Sequence, residues 1–168
     1  MNIKYIKQYD EKDCGPTCLA MISQSFGKRV SIPRLRDYAK TDKLGTNLYG
    51  LIKAGEHIGI KLTGVKVDSV KELKKVELPI IAHIVNKQGY NHFVIIESLK
   101  KDKIHIVDPA KGKYKLTEQQ FNEIWTNIAV LVKKTESFNS RDESPSYMNI
   151  FTAVSYTHLR AHETVLDL

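Results

Sequence analysis

Three residues in this chain have the types and spacing needed for acyl transfer at a peptide or amide carbonyl. The first, Cys14, stands in Gln8-Tyr9-Asp10-Glu11-Lys12-Asp13-Cys14-Gly15-Pro16-Thr17-Cys18-Leu19. Asp13 has the character of a helix N-cap, and Pro16 is tolerated in the first turn that would follow. A thiol placed there lies at the positive end of the helix dipole, which favours negative charge on sulfur. Gly15 permits close backbone approach beside it. Gln8 lies six residues upstream and can fold back, so that its side-chain amide and the Cys14 N–H both face a reacting carbonyl. One side-chain donor and one main-chain donor make an oxyanion hole. The same segment also fits an inert cysteine opening an amphipathic helix, because free cysteine commonly packs as a small hydrophobe. Cys18 takes that plainer assignment: one turn further on, beside Ala20, Met21 and Ile22, it belongs to the core.

The other two residues are His92 and Asp108. If the strands carrying them pair about a Lys100–Lys101 turn, opposed residues have numbers summing to about 200. His92 then faces Asp108, Val94 faces Ile106 and Ile96 faces Ile104, all on one face of the sheet. A carboxylate opposite the imidazole can accept from one ring nitrogen, fix the tautomer and stabilise imidazolium, leaving the other nitrogen for a thiol. No other histidine has a carboxylate opposite it in register. His57 falls late in a helix, where a cation suits the dipole. His83 and His105 are expected to be structural strand residues without an obvious partner.

The elements that must position these residues follow from periodicity. Ile3–Gln8 is a short strand or extended entry. A helix runs from Cys14 to Phe26 and stops at Gly27. Ser31-Ile32-Pro33 opens a short helix with Leu35 and Tyr38, and a third helix covers about Asn47–Ile58 and ends at Gly59. The period then changes to two. Strands are expected at Ile60–Val67, Pro79–Val85, Asn91–Leu99, Lys103–Val107, Lys113–Leu116 and Ile128–Val132. Val70–Lys75 makes a helical turn, and Thr117–Trp125 a capped helix. Helices first and strands afterwards give an α+β fold with a largely antiparallel sheet.

Composition is that of an ordinary soluble globular protein. A chain of 168 residues, 42% hydrophobic and 27% charged, is long enough to bury roughly 70% of its unfolded surface. No apolar run approaches the ~20 residues a membrane span needs, and no signal-peptide core follows Lys4 and Lys7. Residues 1–137 hold 24 Lys and Arg against 15 Asp and Glu, a net +9. The lysines are scattered and lack interleaved stacking aromatics, so nucleic acid is not the expected partner. Two cysteines at i and i+4 form neither a disulfide framework nor a zinc site, which fits a reducing compartment and a free nucleophilic thiol. No G-x-x-x-x-G-K-[ST] phosphate loop is present.

Taken together, Gln8…Asp13-Cys14-Gly15…Cys18-Leu19, Asn91-His92-Phe93-Val94 and Asp108-Pro109 resemble the N-terminal peptidase domain of bacteriocin-processing ABC transporters. Those domains are papain-like cysteine peptidases that cut a leader after a double-glycine motif. The resemblance covers residues 1–137. It implies Cys14 as nucleophile, His92 as general base and acid, Asp108 as its orienter and Gln8 as oxyanion donor, with no cofactor and no metal. It further implies a site too narrow for side chains at the scissile bond, and a leader helix docked by its apolar face. The implied partners are a double-glycine precursor and the parent transporter's membrane and ATPase domains. The implied location is the cytoplasmic side of the membrane, with this fragment itself soluble. Residues 138–153 have the composition of a linker toward the missing membrane domain. Residues 154–168 resemble translated adapter sequence, a non-native tail. Two other functions fit the same residues: an idle leader-docking domain, and a Cys-His-Asp hydrolase or acyltransferase acting on another amide.

Overall fold

The computed structural model describes residues 2–141. Residues 154–168 and most of the expected linker lie outside the described residues.

The helical half comes first. Asp10 caps a single 3₁₀ turn, Glu11–Asp13, its Oδ1 accepting from the Lys12 N–H at 2.7 Å. That turn runs directly into α1, Cys14–Ser25, so Asp13 makes no side-chain cap. Its carboxylate instead turns back to the Asp10 N–H and meets Arg36 Nε at 3.1 Å. The expected cap is therefore supplied one turn earlier, by Asp10. Helix α2, Ile32–Ala39, starts at Ser31, whose hydroxyl accepts from the Arg34 N–H. Helix α3, Leu48–Ile58, is capped by Asn47 and ends at Gly59 with φ 82°, a left-handed conformation that glycine adopts freely.

Six strands follow: β1 Ile60–Lys66, β2 Ile80–Val85, β3 Asn91–Lys100, β4 Lys103–Asp108, β5 Gly112–Thr117 and β6 Trp125–Lys134. Short helices α4, Val70–Leu73, and α5, Glu118–Asn122, interrupt them. The spatial order is β1-β6-β2-β3-β4-β5, and every neighbouring pair is antiparallel. Alternation divides the core across the sheet. Ile81, Phe93, Ile95, Val107 and Val130 pack with α1–α3. Ala82, Ile84, Val94, Ile96, Ile104 and Ile106 pack on the other side with Val70, Leu73, Phe121 and Trp125.

Of the two forms expected for Ile3–Gln8 the strand is not found, and the segment is pinned at its end by the Gln8 N–H on Pro109 O at 2.9 Å. Two other expectations about local structure change. Helix α5 stops at Asn122, because Trp125 is stacked on Phe121 and its indole donates to Ile128 O at 3.0 Å, which opens β6 early. The β3–β4 register also differs. The turn residues are Lys101 and Asp102, both left-handed at φ 51° and 58°, a two-residue hairpin whose twist matches the strands. Next to the turn Leu99 faces Ile104, and beyond a bulge between Ile96 and Ser98, which takes back one residue, Ile96 faces Ile106 and Ile95 faces Val107. A shift of two keeps each side chain on its face, so His92 and Asp108 meet diagonally rather than squarely.

The packed body reaches Phe138. Its ring meets Phe26 edge-on at 6.1 Å, and its backbone crosses Gly59, where an added Cβ would stand 2.6 Å from Phe138 Cα. Phe138→Ala should cost about 2 kcal/mol, below the fully buried range because the ring is only partly covered. Urea unfolding checks this, and an unchanged midpoint would mean the ring adds nothing.

Candidate active site

The first turn of α1 delivers Cys14, 7% exposed, to the seam between two cavities. One, of about 430 Å³, is lined by Cys14 with Thr46, His83 and Phe93. The other, of about 640 Å³, is lined by Gln8, His92, Asp108 and Tyr114. Glu11 and Asn91 border both. Gly15 is not forced by lack of space: an added Cβ would touch Thr46, Leu51 and Phe93 at 3.4–3.5 Å, close to ordinary contact.

His92 opens β3 and Asp108 closes β4, and the pair is buried. His92 Nε2 lies 2.7 Å from Asp108 Oδ1. The same oxygen accepts the Ala110 N–H at 2.8 Å, and Oδ2 accepts the Tyr114 hydroxyl at 2.9 Å. A carboxylate saturated in this way has one orientation open to it, and it directs the imidazole so that Nδ1 is left for the thiol. Gln8 is held through its main chain, and its Oε1 is buried without a partner. No described protein group takes the hydrogens of Gln8 Nε2, so the donor end of the amide is available to the cavity shared with His92.

Residues 2–137 of the chain match the model of the Peptidase C39 family. The chain belongs to the Peptidase C39 family. It is 38% identical over 149 residues to the lactococcin-G-processing and transport ATP-binding protein LagD of Lactococcus lactis subsp. lactis, covering 88% of this chain and 21% of that protein. It is 34% identical to the mesentericin-Y105 transport/processing ATP-binding protein MesD of Leuconostoc mesenteroides, covering 90% of this chain and 22% of that protein. The chain thus spans about a fifth of the length of these curated relatives. Among solved structures, the peptidase domain of Streptococcus ComA, a bi-functional ABC transporter involved in quorum sensing, superposes with a TM-score of 0.74 at 26% identity. That match covers 80% of this chain and all of that one. A double glycine motif protease from an AMS/PCAT transporter, solved in complex with the leader peptide, gives 0.73 at 29% identity, covering 80% and 93%. The fold is the papain-like C39 fold, helices on an antiparallel sheet.

Within this C39 domain the electrostatics fix protonation states. Burial lowers the proton affinity of His92, but hydrogen bonds to Asp108 and Cys14 and the charges of both outweigh it, raising its pKa from 6.5 to about 9. Burial pushes Asp108 upward, yet the His92 hydrogen bond and charge, the Ala110 N–H and the Tyr114 hydroxyl leave it below 3.8. Tyr114 is driven up by burial and by Asp108, so it remains a donor. Cys18 is wholly buried, its thiol donating to Phe93 O at 3.4 Å, and burial raises its pKa well above 9.0. That agrees with its expected place in the core.

Sequence reasoning missed two residues around the site. Tyr114 was legible in part: pairing β4 with β5 about the Pro109–Lys111 turn sets Ile106 opposite Tyr114 and Asp108 opposite Gly112, which makes Tyr114 a diagonal neighbour of Asp108. His83, expected to lack a partner, has two: Nδ1 lies 2.8 Å from Thr126 Oγ1, and its ring meets Phe93 at 5.2 Å. His57 stacks on Tyr38 at 4.4 Å, and His105 faces Lys115 across β4 and β5.

Proposed function

We propose that this domain is a cysteine endopeptidase that removes a leader peptide after a double-glycine motif, with Cys14, His92, Asp108 and Gln8 as its catalytic machinery. The observation that carries this reading is the His92 Nε2–Asp108 bond at 2.7 Å, which turns the other ring nitrogen toward a cysteine at the mouth of α1. Support comes from relatives named for processing and transport, and from the structural neighbour bound to a leader peptide.

In this mechanism Cys14 stands as thiolate beside a His92 imidazolium that already holds its proton, and the sulfur attacks the carbonyl carbon of the second glycine. The carbonyl electron pair moves onto oxygen, where Gln8 Nε2 and the Cys14 N–H hold it. When the oxyanion collapses, the C–N bond breaks and imidazolium passes its proton to the leaving amine. Water, deprotonated by His92, then cleaves the thioester and restores the thiolate. The acyl group ends on Cys14 and the amine beside His92. The leader therefore occupies the cavity lined by Cys14, and the released peptide departs through the cavity lined by His92. In the parent transporter this work is done on the cytoplasmic side. Among the described residues no helix is long and apolar enough to cross a membrane.

The test is incubation with a double-glycine precursor peptide, read by mass spectrometry. Cleavage after the second glycine, abolished by iodoacetamide and untouched by chelators, is expected. Cleavage elsewhere, or reversible loss on chelation, refutes the proposal. Gln8→Ala should lower kcat roughly 10²–10³-fold with KM nearly unchanged, as for loss of one oxyanion donor. A rise in KM at constant kcat would make Gln8 a binding residue instead. Residues 154–168 are assigned no role: a chain ending after Asn139 should match the full chain in melting temperature and cleavage rate, and a deficit in either would make the tail integral.

A further inference from the structure

His83 has no part in the mechanism above, yet it stands in the same cavity as Cys14. Its setting depends on an irregularity in the sheet. Ala82 pairs with Ala129 and Ile84 with Trp125, so one residue of β2 is opposed by three of β6. The extra length is held by Asn127, at φ 66°, whose side-chain amide donates to Val67 O at 2.8 Å. Bulges of this kind re-aim side chains near functional sites.

This bulge brings the Thr126 hydroxyl to His83 twice. Thr126 Oγ1 donates to His83 O at 3.0 Å, and the same oxygen lies 2.8 Å from His83 Nδ1. A hydroxyl has one proton. With that proton on the carbonyl, Nδ1 must be the donor, so the hydrogen sits on Nδ1 and Nε2 keeps its lone pair. No described protein group bonds Nε2, and it is not among the buried unsatisfied atoms. The half-buried ring thus carries an unclaimed acceptor in the cavity that holds the nucleophile. Burial and the nearby His92 both lower the pKa of His83, which keeps it neutral.

A lone-pair acceptor selects a donor. Glycines offer no side chain, so recognition of a double-glycine stretch must use its main chain, and there the donors are N–H groups. The Phe93 ring, 5.2 Å from His83 at 66°, completes an aromatic wall that suits an unbranched backbone. We propose that His83 is a substrate-binding residue, its Nε2 accepting a main-chain N–H of the segment just before the scissile bond, with Thr126 fixing the tautomer. This rests on the leader-peptidase reading given above.

The test uses the full chain, a double-glycine peptide and three depsipeptide versions, each replacing one N–H before the scissile bond with an ester oxygen. One ester should lower wild-type kcat/KM roughly 3–10-fold, the size of one net hydrogen bond. That same ester should cause no further loss in His83→Phe, which keeps an aromatic ring against Phe93. Equal losses in both proteins at all three positions, or no loss in wild type, would overturn the proposal. A second measurement needs no His83 variant: ¹⁵N-histidine-labelled Cys14→Ala is titrated with the parent peptide. An unprotonated Nε2 whose resonance shifts on binding is expected. A protonated or unmoved Nε2 overturns the proposal, even if the parent peptide resists wild-type cleavage and the leader-peptidase reading has failed.

Discussion

Cys14→Ala is expected to lower turnover by roughly 10⁴–10⁶, and His92→Ala by a similar factor. The two losses should not multiply, because the thiol and imidazole act as one unit and removing either leaves the other with nothing to do. The geometry supports this. His92 has one nitrogen committed to Asp108, and its raised pKa draws in part on the Cys14 hydrogen bond and charge. Without Cys14 no nucleophile remains in the seam, since Cys18 is fully buried and bonded to Phe93 O. Cys18→Ala should accordingly stay active and lose only packing stability. Single-turnover cleavage of a double-glycine peptide by all three variants and the Cys14–His92 double variant measures these effects. Substantial turnover in Cys14→Ala, or inactivation in folded Cys18→Ala, would remove the nucleophile assignment.

The four proposed site residues were legible as candidates because each is marked locally. Cys14 follows helix-start chemistry, Gln8 sits within folding-back distance, and His92 and Asp108 end adjoining strands of an antiparallel hairpin. Parity explains why the pairing survived an error of register. The true turn at Lys101–Asp102 alone would move the strands by three, but the bulge between Ile96 and Ser98 returns one residue, and the net shift of two is the period of a strand. What the sequence concealed depends on irregular backbone and on contacts distant along the chain. The bulge between Ala82 and Ile84 that brings Thr126 to His83 has no periodic signature. Trp125 continues a helical pattern from Thr117, and only its stacking on Phe121 and its bond to Ile128 O end that helix early. Asp13 looks like a cap in isolation; Arg36, 23 positions away on α2, draws its carboxylate elsewhere.

Asp108→Ala should lower kcat/KM by roughly 10⁴, the scale seen when the orienting carboxylate of a catalytic triad is lost. The change strips an acceptor from three donors at once: His92 Nε2, the Ala110 N–H and the Tyr114 hydroxyl. Asp108→Asn should behave differently. Its oxygen can take the Oδ1 position between His92 and Ala110, and its amide can face a Tyr114 hydroxyl turned to accept. Orientation then survives while the negative charge is lost. In wild type the imidazolium persists until the pH passes about 9, so the alkaline limb of kcat/KM should fall there. The same raised value makes a stability contribution that is full below about 6.5 and fades as the pH rises through the folded-state value. Removing the carboxylate charge leaves burial opposed mainly by Cys14. The alkaline limb in Asp108→Asn should therefore move down by roughly 1–2 pH units, as expected for loss of one close opposite charge. At pH 6.5, below both limbs, the Asn variant should retain far more activity than the Ala variant. Peptide-cleavage profiles from pH 5 to 10 for the three proteins distinguish the two contributions. An Asn variant with an unmoved alkaline limb would show that Asp108 acts by orientation alone, and one as inactive as Ala at pH 6.5 would show that its charge is indispensable.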